Sequence, residues 1–398
     1  MSEKGRQTLA TTHPGARLED ALRRLGQVKE MMRLLVEDEV LPLRRLPHVE
    51  PLFDRAAVEN FVLSEEDFFS LSQWLDTVKA LYAYFRVRRI KYPALAELIE
   101  GPAFDLSFAD QIARVIGPEG KMHSHASAEL LRLRQAIAEK SDELRKLMHH
   151  VLRQARNQGL SDARELTVRN ERLVIPIHAD AKNKLKGFVH DVSASGQTLF
   201  VEPVQAFGLN NEIRELKLKE RNEIHKILLE LTDAMRPHLP EFRRFSEFLT
   251  AVDVLRAKAK LGLELDAIVP VVRSDDGKGL TVLCIENGRH PLLALKKGTN
   301  AVVPLNLRLD GQVRIVVVSG PNAGGKTVAM QTVGLLQLML QSGFPVPVGA
   351  SSVFTVFERV FIDMGDDQSL QNDLSTYTSH LTNMRRILER MNRKTLFL

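Results

Sequence analysis

Residues 313–327 read VRIVVVSGPNAGGKT, a β-branched apolar run that feeds straight into a glycine-rich loop, and this order decides the fold class of the C-terminal third. The pattern G-x-x-x-x-G-K-[ST] is met by Gly320, Gly325, Lys326 and Thr327. Each residue type in it has a physical task. Glycines let the backbone curl so that its N–H groups converge on phosphate oxygens where side chains would collide. The lysine supplies positive charge to the β- and γ-phosphates, and the threonine hydroxyl is a ligand for Mg²⁺. The continuous apolar character of residues 313–319 predicts a fully buried strand before the loop. After it, Val328, Met330, Val333, Leu336, Leu338 and Met339 recur at helical spacing and predict a helix from Thr327 to about Gln341, its positive dipole end facing the phosphates. The loop residues Gly320, Pro321, Asn322, Ala323, Gly324, Gly325, Lys326 and Thr327 are therefore the candidate nucleotide site, with ATP as ligand and Thr327 on Mg²⁺.

Upstream of the loop the chain is organised by changes of period. Residues 18–126 carry apolar positions at helical spacing, broken by prolines near residues 41–51 and 92–102, and read as a helical core. Leu130, Ile137, Leu144 and Val151 fall seven apart, with Leu133 and Leu147 between them, which predicts an outgoing helical arm over 127–158. Ile213, Leu216, Ile224, Ile227 and Leu231 mark a return arm, and residues 204–267 read as that arm followed by more helical core. Between the arms, over 159–203, the pattern becomes strand-like at 166–169, 172–179, 187–192 and 197–201, with turns at Asn170-Glu171 and Ser195-Gly196. The expectation is a small β clamp at the far end of a helical hairpin. From about residue 268 to 398 the composition turns β-rich around the glycine loop. The fold class expected is multidomain: an all-α core with long helical arms carrying a β clamp, followed by an α/β P-loop domain.

Composition bounds the function. The 398 residues hold 55 Lys and Arg against 50 Asp and Glu, a net charge of +5 that favours a polyanionic partner only weakly. The single cysteine, Cys284, excludes an internal disulfide and a zinc site built on cysteine pairs, reads as a buried apolar filler, and suits a reducing compartment. Residues 1–17 mix charge, hydroxyls and a proline, lack the apolar core of a secretory signal, and read as a flexible arm. No run of eighteen apolar residues occurs, so a membrane partner is not expected and the cytoplasm is the expected location. Lys182, Lys184 and Lys186 on one loop, with Arg169 and Arg172 on the strands, are either a solvated face or phosphate contacts for nucleic acid. His190-Asp191 and residues 193–196 lack the partners of a metal pair or a triad and read as packing and turn residues.

The loop GPNAGGKT resembles that of the MutS mismatch-repair ATPases, relatives of the ABC class. The resemblance continues through Arg289-His290-Pro291, FIDMGDDQSL at 361–370 and LSTYTSHLTNM at 374–384. The segment VRNERLVIPIHADAKNKLKGFVHDVSASGQTLFVEP at 168–203, with LPLRRLPHVEPLF at 41–53, is similar to the bacterial MutS-two subfamily. That resemblance runs from about residue 18 to 398. It implies that Asn322, Gly325, Lys326 and Thr327 hold a triphosphate, that Asp366, Asp367 and Gln368 sense the nucleotide, and that Ser375 with Thr376 stands where the ABC signature contacts the γ-phosphate of a partner subunit in a homodimer. Without the resemblance, Ser375 and Thr376 read as a helix N-cap. It also implies an ATP-dependent grip on DNA, branched or damaged, in suppression of recombination. Ribosomes or rRNA are an alternative ligand, and a non-catalytic binding module is a further alternative. The subfamily pattern continues, after the apolar residues 394–398, with two acidic residues, the rest of the sheet, dimerising helices and an Smr nuclease domain. The expectation is therefore a fragment that binds nucleotide without normal turnover. Arms of this length, and the lack of signature glycines in 374–380, disfavour an SMC-type ATPase.

Overall fold

The computed structural model describes every residue except 38–39, 44–46, 102, 274–282, 311–312, 322–324 and 364–383. The described residues are mostly helical, and no helix among them is long and apolar enough to cross a membrane. Eleven labelled helices run in chain order. They are α1 (Glu3–Ala10), α2 (Leu18–Glu37), α3 (Glu50–Ala56), α4 (Glu65–Arg88), α5 (Pro93–Ala96), α6 (Ser107–Val115), α7 (Ala128–Asn157), α8 (Val204–Met235), α9 (Leu239–Glu264), α10 (Pro291–Lys297) and α11 (Lys326–Gln341). The chain divides into two compact units that cut across its linear order. One gathers residues 1–48, 77–104 and 243–398; the other gathers 49–76 and 105–242. The helical core expected over 18–126 is thus shared out between them, because long helices such as α4 and α9 contribute their two ends to different cores.

In the unit of 49–76 and 105–242, α7 and α8 form the hairpin that their apolar seams predict. Ser127 caps α7, its Oγ accepting from the Leu130 N–H at 3.0 Å and donating to Glu223 at 2.7 Å. Ion pairs Arg134–Glu220 at 2.9 Å and Lys140–Glu212 at 3.1 Å descend along α8 as they ascend along α7, which makes the helices antiparallel. At about 1.5 Å per residue, each arm is roughly 45 Å long. Leu144, Met148, Val151 and Leu152 of α7 continue the seam into the core of a four-stranded antiparallel sheet. Its strands are β1 (Thr167–Arg169), β2 (Arg172–His178), β3 (Gly187–Val192) and β4 (Thr198–Pro203), in the order β1-β2-β4-β3. Asn170 and Glu171 both take positive φ, 49° and 61°, so the β1–β2 hairpin closes through the tight two-residue turn expected there. Near the hairpin base, Phe53, Trp74, Phe108 and Phe242 are buried and pack with centroids about 5.6–6.2 Å apart.

The other unit holds the glycine loop. β5 (Val271–Arg273), β6 (Leu283–Gly288), β7 (Leu305–Leu309) and β8 (Val353–Thr355) form a sheet in the order β5-β8-β6-β7; β9 (Arg359–Phe361) and β10 (Thr395–Phe397) pair in parallel. Leu283, Ile285 and Phe354 of the first sheet bury against Val333, Leu336 and Leu340 of α11, with Leu396 of β10 and Leu25 of α2 in the same core. A further helical stretch spans 384–390.

Two expectations are corrected here. Residues 1–17 are not an unstructured arm. Ser2 caps α1, its amide and hydroxyl both donate to the buried Asp253 at 2.6 and 2.7 Å, and Lys4 donates to Ser246 at 2.7 Å. Gly5 makes the close approach possible, since a Cβ there would lie 2.7 Å from the Asp253 carboxylate. The segment docks through polar groups, so an apolar pattern does not betray it. Residues 313–319 are not a buried strand either. Among the described residues none pairs with them as a strand, and Ile315 and Val317 are 82% and 85% exposed. β-branched residues favour extended backbone, but a strand exists only where neighbouring strands take up its N–H and C=O groups.

Candidate nucleotide and nucleic-acid sites

The described part of the glycine loop is shaped by its backbone. Gly325 sits at φ 86°, ψ 12°, the left-handed region, and from there the chain enters α11 at Lys326. Gly320 has φ 146°, and around both glycines the space a Cβ would occupy is open. Lys326 Nζ donates to the carbonyl of Gly320, so the lysine spans the loop from the helix back to its start. Thr327 lies in the first turn of α11, exposed like Gly325, with Lys326 half-buried between them. The backbone N–H groups of that turn lack intrahelical acceptors and form, with the helix dipole, an electropositive end. Asn322, Ala323 and Gly324 lie outside the described residues, as do Asp366, Asp367, Gln368, Ser375 and Thr376. What is described of residues 320–327, open glycines around a lysine at a sixteen-residue helix's start, fits the phosphates of a nucleotide.

Behind the loop, α11 is anchored along its length. A Cβ on Gly334 would meet Leu398 at 2.9 Å and Ile362 at 3.2 Å, so the helix lies tightly over β9 and β10. At its C-terminal end the buried Gln341 accepts from the Phe357 N–H at 3.1 Å and donates to the carbonyls of Phe357 and Gly15 at 2.9 and 2.8 Å. Lys258 of α9 donates to the Ser342 carbonyl at 2.6 Å and lies over the Phe344 ring. Burial, with the nearby Arg24 guanidinium second, lowers its pKa to about 8. In the Arg289-His290-Pro291 stretch, the His290 ring accepts from the Leu293 N–H as N-cap of α10, and Pro291 occupies the first turn. Burial depresses the His290 pKa.

The hairpin-borne sheet places the candidate nucleic-acid residues in two groups. Lys182, Lys184 and Lys186 are exposed on the β2–β3 connection and form no ion pair among the described residues. Arg169 and Arg172 have partners of their own. Arg169 pairs with Asp191 at 3.1 Å and stacks over Phe200. Arg172 reaches Glu202 at 2.7 and 2.9 Å and Asn211 at 2.5 Å. Glu202 is fully buried and also meets His190 at 2.6 Å and Asn210 at 2.8 Å. A buried carboxylate is stable only with this many partners. The structure thus assigns His190 a packing role, as its sequence context implies. Sequence reasoning missed Glu202, whose signal is a lone acid among apolar strand residues.

Comparison with known proteins bears on both sites. The family model for MutS domain V matches residues 316–398. The chain is 33% identical over 375 residues to Endonuclease MutS2 of Alkaliphilus metalliredigens, covering 94% of this chain and 46% of that protein. It is 35% identical over 379 residues to Endonuclease MutS2 of Clostridium botulinum strain Alaska E43, at 94% and 46% coverage. It is 36% identical over 353 residues to Endonuclease MutS2 of Thermomicrobium roseum, at 86% and 44%. The chain spans about half the length of the curated relatives it matches.

Proposed function

We propose, for a chain that belongs to the MutS2 subfamily, that residues 320–327 bind the phosphates of ATP and that this binding controls a grip on DNA through the hairpin-borne sheet. The observation that carries the reading is the arrangement at the head of α11: Gly325 in a left-handed N-cap, Lys326 crossing to Gly320, and Thr327 beside them in the first helical turn. Lys326 would neutralise the β- and γ-phosphates, and Thr327 with a phosphate oxygen would hold Mg²⁺. The magnesium-bound nucleotide supplies the free energy of phosphoryl transfer. The chain's own described residues supply binding and orientation. In a dimer, nucleotide binding closes the grip, with Asp366, Asp367 and Gln368 as sensors and Ser375 and Thr376 acting across the interface.

The test is titration of the chain with a fluorescent ATP analogue and Mg²⁺. Binding by the unsubstituted chain and its loss in Lys326→Ala, at unchanged melting temperature, supports the reading. Equal binding by Lys326→Ala overturns it. Parallel titrations with branched duplex DNA and with ribosomal RNA separate the two nucleic-acid ligands.

A further inference from the structure

Beyond the loop lysines, the hairpin-borne sheet carries a basic groove, and it lies wholly within one unit. Its volume is about 610 Å³. One wall is the β1–β2 turn, with Asn170 and Glu171; the other is a single face of α8. Arg214, Lys217 and Arg221 stand three and then four residues apart, so they line that face over roughly 10 Å. The floor is Arg172 and His190, both held by the buried Glu202. Arg172 offsets Glu202, and Arg221 forms an exposed ion pair with Glu171 at 3.6 Å. Arg214 and Lys217 are exposed, and neither forms an ion pair among the described residues. The groove therefore presents uncompensated positive charge on a polar floor already fixed from below.

An aromatic pair adjoins it on the same face of the sheet. Phe188 of the edge strand β3 lies opposite Glu202 in register, two residues before His190. It packs on Phe207 at the start of α8 with centroids 5.1 Å apart, and the Arg172 guanidinium lies 5.4 Å from the Phe207 ring. The two packed rings remain 51% and 39% exposed. Cations in a row beside an exposed ring are the two elements a single-stranded nucleic acid uses: phosphates meet the charges, and an unstacked base meets the ring. An acidic peptide would use the charges and leave the rings idle.

We propose that this groove binds an unpaired stretch of nucleic acid, with the sugar–phosphate chain along Arg214, Lys217 and Arg221 and a base on Phe188. The inference rests on the nucleic-acid part of the reading above and narrows it to single-stranded or unpaired segments. The test uses the full chain and three probes: a thirty-residue thymidine oligonucleotide, a duplex of the same length, and polyglutamate as competitor. All substituted side chains are exposed, and thermal melting checks that each variant folds. Arg214→Ala with Lys217→Ala is expected to flatten the slope of log affinity against log salt for the oligonucleotide by about 1.4. Phe188→Ala is expected to weaken the oligonucleotide about tenfold and leave the duplex unchanged. Oligonucleotide binding that these substitutions do not alter overturns the groove alone. No binding of any nucleic acid overturns the groove and the broader reading together. Equal loss for oligonucleotide and duplex in Phe188→Ala removes the stacking assignment, and displacement by polyglutamate at matched charge overturns it in favour of an acidic protein.

Discussion

At Gly325 a φ of 86° places the backbone where an L side chain costs about 1–2 kcal/mol. Gly325→Ala is expected to lower stability by that amount and to weaken nucleotide binding, since the turn into α11 must open to relieve it. A urea midpoint and a fluorescent-nucleotide titration on the same variant check both. Lys258 makes a different residue-scale argument. Its pKa near 8 in the folded chain lies below the 10.5 of the unfolded chain, so between these values the unfolded state holds more protons. The cost of burying the ammonium is fully present below pH 8 and disappears as pH rises towards 10.5. The unsubstituted chain is therefore expected to gain stability relative to Lys258→Met across that window. Urea midpoints of the two proteins at intervals from pH 7 to 10.5 measure it, and a constant difference would falsify the burial argument.

At the scale of elements, β2, β4 and the start of α8 are held together by one buried carboxylate. Glu202→Gln keeps the shape but leaves Arg172 without its anion, so the loss is expected to be about 3–5 kcal/mol. Denaturant unfolding followed by far-UV signal reads it. A loss below about 1 kcal/mol would mean that Arg172 relaxes into solvent. The sheet's four strands and the two arms were legible from period alone, because alternation and a seven-residue seam are local signals. Residues 313–319 show the converse. Their apolar, β-branched sequence specifies extended backbone, and pairing is a property of neighbours that the segment itself does not carry. In α1 the misreading has the opposite sign: the Ser2–Asp253 contact joins residues 251 apart, so composition near residue 1 holds no trace of it.

For the molecule as a whole, a net charge of +5 is too small to predict a polyanionic partner, and distribution matters more than the sum. Lys182, Lys184 and Lys186 project from one connection of the hairpin-borne sheet, away from any ion pair among the described residues. Binding of the full chain to duplex DNA is expected to weaken steeply with salt, and replacing these three lysines by alanine is expected to flatten the log–log slope by about 0.9 for each phosphate no longer neutralised. Fluorescence anisotropy between about 50 and 200 mM salt distinguishes this from a slope that does not change.

The glycine loop was legible because phosphate binding requires particular residue types at fixed spacing: glycine where the backbone takes positive φ, lysine where phosphate charge would sit. Residues 320–327 thus match the pattern of a phosphate-binding loop, and the periods on either side of residues 159–203 announced a hairpin with a sheet at its end. Tertiary structure alone decided which charges are available. It placed Arg172 against the buried Glu202 and brought Arg214 and Lys217, more than forty residues along the chain, beside the same turn. The reason is that an ion pair depends on distance in space, to which sequence separation is no guide, whereas a backbone turn depends on the residues that make it.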